Sequence, residues 1–148
     1  MFRKTIITVS VALLSQICLA ETCPSVQDIK SNSLHGWKAF DSDDGMPLSA
    51  AREKQFKNTI EQFALAEWKD TKDKSGSIHC YYRDSTGSNL EAYFAKDNFI
   101  PKRLANSFWY EVSGFMHCAA GMDKCEFETQ TLSNKNQFTK KRIEKTIS

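Results

Sequence analysis

The sequence predicts an α+β domain in which one long amphipathic helix packs on an antiparallel sheet of about four strands, stapled by disulfides. Three observations point there. An apolar stripe at helical spacing runs through residues 49–70, four period-two stretches follow it, and four cysteines remain once a leader-like N-terminus is set aside.

That N-terminus comes first. Met1, Phe2, Arg3 and Lys4 form a basic start, and "TIITVSVALLSQICLA" is an apolar run ending with Cys18 and Ala20 at the −3 and −1 positions of a cleavage site. This is the pattern of a secretory signal peptide over 1–20, too short and too lightly flanked for a membrane anchor. The residues before Cys18 and Cys23 do not form a lipoprotein motif. The expected organisation is a signal peptide at 1–20, a single α+β domain at 21–134 and a basic C-terminal tail at 135–148. The expected compartment is periplasmic or extracellular, with no transmembrane segment in the exported chain and a monomeric state.

Charge follows from this division. The chain carries 20 Lys and Arg against 18 Asp and Glu, and losing Arg3 and Lys4 leaves an exported chain that is formally neutral. No global basic field remains to attract nucleic acid. The tail is locally basic, with Lys135, Lys140, Lys141, Arg142 and Lys145 against Glu144.

Within the domain, "ETCPSVQDIKSNS" reads as an anchored irregular segment and "LHGWKAF" (34–40) as a short first strand with Trp37 inward. "DSDDGMP" is a turn-rich acidic loop. Its Asp41, Asp43 and Asp44 lack the alternate spacing and the later Glu of a calcium loop, so a solvated turn is the better reading. In "SAAREKQFKNTIEQFALAEWKD" (49–70), Phe56, Ile60, Phe63, Ala64 and Trp68 share one helical face, with Ser49 as N-cap. "GSIHCYYRD" (76–84) and "NLEAYFAKD" (89–97) alternate on either side of a Gly-containing turn and predict a β-hairpin. Leu90, Ala92 and Phe94 are its expected inward side. "FWYEVSGFMHCA" (108–119) and "CEFETQTL" (125–132) are the third and fourth strand candidates.

Cys23, Cys80, Cys118 and Cys125 are even in number, as a disulfide framework in an oxidising compartment requires. The favoured pairing is Cys23–Cys80 and Cys118–Cys125, the second bracketing "AAGMDK". Two adjacent His-Cys pairs, His79-Cys80 and His117-Cys118, raise a zinc alternative. Strand alternation sends each histidine to the face opposite its cysteine, and zinc ligands are normally spaced by two to four residues. The reading is therefore disulfides, with no metal and no cofactor.

A chain that opens "CPSVQDI", continues through "HGW" and a helix to "CYYR", and closes with "CAAGMDKCEF" is similar to a family of small exported proteins of unknown function from Gram-negative bacteria, of Legionella-type and enteric species. The resemblance implies the compartment and the stapled fold. It supplies no catalytic residues.

Function classes are thinned by what is missing. The chain has no G-x-S-x-G, H-E-x-x-H, Walker loop or dinucleotide fingerprint. The expectation is a secreted or periplasmic binding or accessory protein acting as an effector, its partner an unidentified protein, glycan or anionic lipid. The binding candidates are the aromatics Tyr81, Trp109 and Tyr110 and the basic residues Lys140, Lys141, Arg142 and Lys145. One alternative is phosphoinositide-type lipid binding through the tail, although a solvated, partly disordered terminus is the preferred reading of that segment. The other is a small hydrolase or metal-dependent enzyme using His79 and His117. His35, beside Gly36, is read as a loop residue.

Overall fold

The computed structural model describes residues 20–71, 74–87, 89–102 and 107–147, without the side chains of Thr71, Lys74, Ser75, Asn89, Arg142 and Lys145–Ile147. Apart from Ala20, the expected leader lies outside these residues. In chain order the described residues form α1 (Val26–Lys30), β1 (Lys38–Asp41), α2 (Ala50–Thr59), β2 (Ile60–Thr71), β3 (Lys74–Asp84), β4 (Asn89–Asp97), β5 (Phe99–Pro101), β6 (Tyr110–Val112), β7 (Phe115–Cys118), β8 (Phe127–Thr129) and α3 (Leu132–Ile147). Six strands make an antiparallel sheet in the order β1-β4-β3-β2-β7-β6, and β5 pairs with β8 in a separate ribbon.

This corrects the expected fold class: the domain is mostly antiparallel sheet, and no long amphipathic helix spans residues 49–70. The segment begins as expected, with the Ser49 side chain accepting from the Arg52 backbone N–H. The helix stops after Thr59, where "NTI" offers three poor helix formers in a row. From Ile60 the chain becomes the longest strand of the sheet, pairing with β3 on one side and β7 on the other.

The misleading periodicity has a physical cause. The β2–β3 register slips between Ile60 and Gln62 and again between Phe63 and Leu65. Each bulge inserts one residue on β2 and resets which positions face inward. The inward set therefore runs Ile60, Phe63, Ala66, Trp68, a spacing close to that of a helix rather than strict alternation. Phe63 lies edge-on to Tyr82 of β3, 6.1 Å between centroids, and Ala66 and Trp68 are buried opposite Cys80 and Ile78.

A second correction concerns residues 108–119. They form a tight hairpin, β6 and β7, turning at Ser113 (φ 49°) and Gly114 (φ 88°), where a left-handed backbone favours glycine. β8, within the expected fourth strand, joins the ribbon and not the main sheet. The hairpin of β3 and β4 forms as expected, except that Leu90 is exposed while Ala92 and Phe94 are buried.

The core lies on one face of the sheet. Ile78, Cys80, Tyr82, Phe94, Trp68, Met116 and Cys118 fill it from the strands. α1 contributes Ile29, α2 stacks Phe56 on Phe94 at 5.2 Å, and the ribbon contributes Phe99, Ile100 and Phe127. α3 seats Phe138 on Trp68 at 4.9 Å, and Lys135 reaches Asp70 at 3.5 Å. The segment expected to be a partly disordered tail is thus helical and docked through 138.

The cysteines pair Cys23–Cys80 and Cys118–Cys125. Cys80 and Cys118 flank Ala66 of β2 in register, so the two bridges lie side by side beneath the sheet with a small residue between them. The disulfides are compatible with an exported protein. Among the described residues no helix is long and apolar enough to cross a membrane.

Candidate functional site

The other face of the sheet carries the chemistry. Because β2 lies between β3 and β7, Glu67 is in register with His79 on one side and His117 on the other. The row extends to Ala95 and Lys38 beyond His79, and to Tyr110 beyond His117. Six strands thus present Lys38, Ala95, His79, Glu67, His117 and Tyr110 in one line.

Glu67 holds the centre. His117 Nε2 lies 2.9 Å from its Oε2, a hydrogen bond, and His79 Nδ1 lies 3.7 Å from Oε1, within ion-pair range. All three side chains are mostly withdrawn from solvent. His79, and His117 with it, hold the Glu67 carboxyl below its ordinary range, against a desolvation that pushes the other way. The carboxylate therefore stays ionised between two imidazoles that it orients.

Aromatic rings wall this polar row. Tyr93 of β4 lies between Phe40 of β1, stacked at 5.8 Å, and His79, stacked at 4.4 Å, with Tyr81 tilted against it at 5.4 Å. Burial first, and the charge of Glu67 second, raise the phenols of Tyr81 and Tyr93 above the ordinary tyrosine value. Both remain neutral hydroxyls at any physiological pH. On the far side Tyr110 meets His117 edge-on at 6.1 Å, and Lys69 sits 5.0 Å over the Phe115 ring.

Between the aromatic wall and the chain around Gly36 lies a groove of about 400 Å³, open to solvent. Its volume exists because small residues surround it: Ala95 and Ser77 on the strands, and Gly36 and Gly45 in the flanking loops. Both glycines have positive φ, 92° and 69°. Lys38, Lys69 and Lys96 also line it, with Asp97 and His79. The Lys96 ammonium is 3.0 Å from Glu21 Oε2, whereas among the described residues neither Lys38 nor Lys69 makes an ion pair with a carboxylate.

No family model, curated protein or solved structure matches this chain.

The candidates from sequence divide accordingly. His79 and His117 do share a face, but through Glu67, which the sequence places on the solvated side of the expected helix and which is instead largely withdrawn from solvent on β2. Leu65-Ala66-Glu67-Trp68-Lys69 does alternate, and that alternation facing the Ile78–Arg83 run was the available signal. Tyr81 is half-buried beside Tyr93, and Tyr110 is exposed at the sheet edge. Trp109 is corrected: it is buried, and its indole N–H donates to the Glu126 carbonyl at 2.8 Å, so it is a core residue and not a binding handle.

Lys140 and Lys141 are exposed on α3 near an exposed Ile143, far in sequence from the histidine row; the Arg142 and Lys145 side chains lie outside the described residues. His35 sits exposed in a loop with φ 44°. The acidic loop is internally satisfied: Asp41 accepts from the Asp43 N–H, Asp44 from the Met46 N–H, and Asp41 also binds Arg52. The Asp43 N–H, then Arg52, lowers the Asp41 carboxyl. Among the described residues no group of three or more His, Cys, Asp or Glu is placed to hold a metal ion.

Proposed function

We propose that this chain is an exported binding protein, akin to the small Gram-negative proteins its cysteine and Gly-Trp spacing resembles, whose ligand docks on the outer face of the six-stranded sheet. The observation that carries this reading is the His79–Glu67–His117 row bordered by Tyr93, Tyr81 and Tyr110. It gathers polar groups and rings on a face that no helix covers among the described residues. Such a mix of rigid aromatic walls and oriented hydrogen-bonding groups is typical of ligand sites. Stability alone does not call for two imidazoles and a carboxylate there, since half-buried polar groups contribute little net energy.

The test compares wild type with a His79→Ala/His117→Ala variant on glycan and peptide arrays. Both residues face away from the core, so the variant should keep its far-ultraviolet circular dichroism and its disulfides. Signals lost in the variant support the reading. Signals unchanged in the variant, or an absence of any signal for wild type, overturn it.

A second reading rests on the 2.9 Å contact between His117 and Glu67. An imidazole oriented by a carboxylate is an arrangement used in general acid–base catalysis. Turnover of ester or phosphodiester substrates that disappears in both Glu67→Gln and His117→Ala would favour this over pure binding.

A further inference from the structure

We infer that the groove beside His79 is a subsite for an acidic sugar ring, a carboxylate- or sulfate-bearing residue of an oligosaccharide; this rests on the outer-face reading above and names its ligand class.

Charge complementarity is the first argument. Three lysines and His79 line the groove, and Asp97 is the single carboxylate there. The Lys96 ammonium is engaged by Glu21 and lies near the Trp37 and Phe99 rings, so it serves mainly as wall. Among the described residues Lys38 and Lys69 make no ion pair, although the Lys69 ammonium also lies 5.0 Å over the Phe115 ring, so both can meet an incoming anion. The two lysines approach from different strands, β1 and β2, separated by β4 and β3. An anionic group on a ring held between them can reach either ammonium as a charge-assisted hydrogen bond.

Shape and hydrogen-bonding character supply the rest. A volume near 400 Å³ suits one or two pyranose rings, and is larger than a free inorganic anion needs. The floor is Ala95, in register between Lys38 and His79, where a larger residue would close the space. Ser77 and Asp97, paired across β3 and β4, place a hydroxyl and a carboxylate together at one end. That pair can donate to and accept from sugar hydroxyls, which a purely anionic ligand would not use. The edges of Phe40 and Tyr93 bound the other side and offer apolar contact to ring C–H groups.

Isothermal titration calorimetry on the disulfide-intact protein tests this with tetrasaccharides of galacturonic acid, of hyaluronan and of sulfated chondroitin. The fully methyl-esterified galacturonate tetramer and inorganic phosphate are the controls. At least one acidic tetramer should bind, weakening with added salt. Esterification should weaken the galacturonate tetramer at least tenfold, and phosphate should compete only at far higher concentration. Ala95→Leu, which adds bulk towards the groove, and Lys38→Glu/Lys69→Glu should each weaken binding at least tenfold with the melting temperature retained. Failure of every acidic tetramer to bind, equal binding of the ester, competition by phosphate at matching concentration, or indifference to Ala95→Leu would each overturn the assignment. Those failures leave the array result with His79→Ala/His117→Ala untouched, so the ligand class and the outer-face site fail separately.

Discussion

The two disulfides should differ in what they contribute to stability, and the difference can be worked from their positions. Cys23–Cys80 closes a chain separation of 57 residues, and Cys118–Cys125 closes one of 7. In the chain-entropy model a bridge restricts the unfolded chain by an amount that grows with the logarithm of the loop. That gives about 4.2 kcal/mol for the first and about 2.4 kcal/mol for the second. All four cysteines are buried in the same core, so replacing either pair by Ala/Ala removes similar apolar contacts and that cost largely cancels in the comparison. What remains is a difference of nearly 2 kcal/mol, or about 6–7 °C in Tm for a domain of this size. Thermal and urea unfolding of Cys23→Ala/Cys80→Ala and Cys118→Ala/Cys125→Ala, followed by circular dichroism, measures it. Equal losses, or a larger loss for the short loop, would refute loop closure as the source of the stabilisation.

The remaining expectations concern the site and its supports. Glu67→Gln should cost about 1–2 kcal/mol at neutral pH, because it removes a half-buried charge-assisted hydrogen bond to His117. The Glu67 carboxyl titrates lower in the folded state than in the unfolded one. Its contribution is therefore complete above the ordinary carboxylate value, about pH 4, and is lost as pH falls through the lowered folded value. The gap between wild type and Glu67→Gln in urea titrations should close in acid; a gap that widens there would refute the pairing. Gly76→Ala should destabilise by about 2–3 kcal/mol in the same assay, since a Cβ would come within 2.3 Å of Trp68 Nε1 and 2.6 Å of the Phe99 carbonyl. That carbonyl accepts the indole N–H at 2.8 Å, a bond the intrusion would break. Phe138→Ala should cost about 3 kcal/mol by unseating α3 from Trp68, and a loss below about 0.5 kcal/mol would show that the helix is not docked. Lys140→Glu/Lys141→Glu should leave Tm unchanged, because both side chains are exposed. Its effect on anionic-liposome flotation therefore tests lipid binding through this helix without uncovering the core, as deletion of 135–148 would.

Much that was local could be read from the chain. The alternation in "SIHCYYRD" places Ile78, Cys80 and Tyr82 inward and His79, Tyr81 and Arg83 outward, because a strand's faces are fixed by its own pleat. The same rule separated each histidine from its cysteine, and the spacing of the four cysteines suggested the pairing that the sulfurs adopt. The turn at Gly87 and the hairpin around it also follow from neighbouring residues.

What the chain concealed was nonlocal. Residues 60–69 have an inward set that two bulges stretch to near-helical spacing, and only pairing with β3 and β7 makes that segment a strand. Trp109 could not be told from an exposed aromatic until Glu126 supplied its carbonyl from across the loop. The histidine row has the same origin. His79, His117 and Glu67 are separated by up to 50 residues, and a strand order that inserts β2 between β3 and β7 is what brings the carboxylate between the imidazoles. The sequence determined which side of their strands would carry the two histidines; tertiary pairing, through register and bulges, made the Glu67 segment a strand and decided that the three would meet.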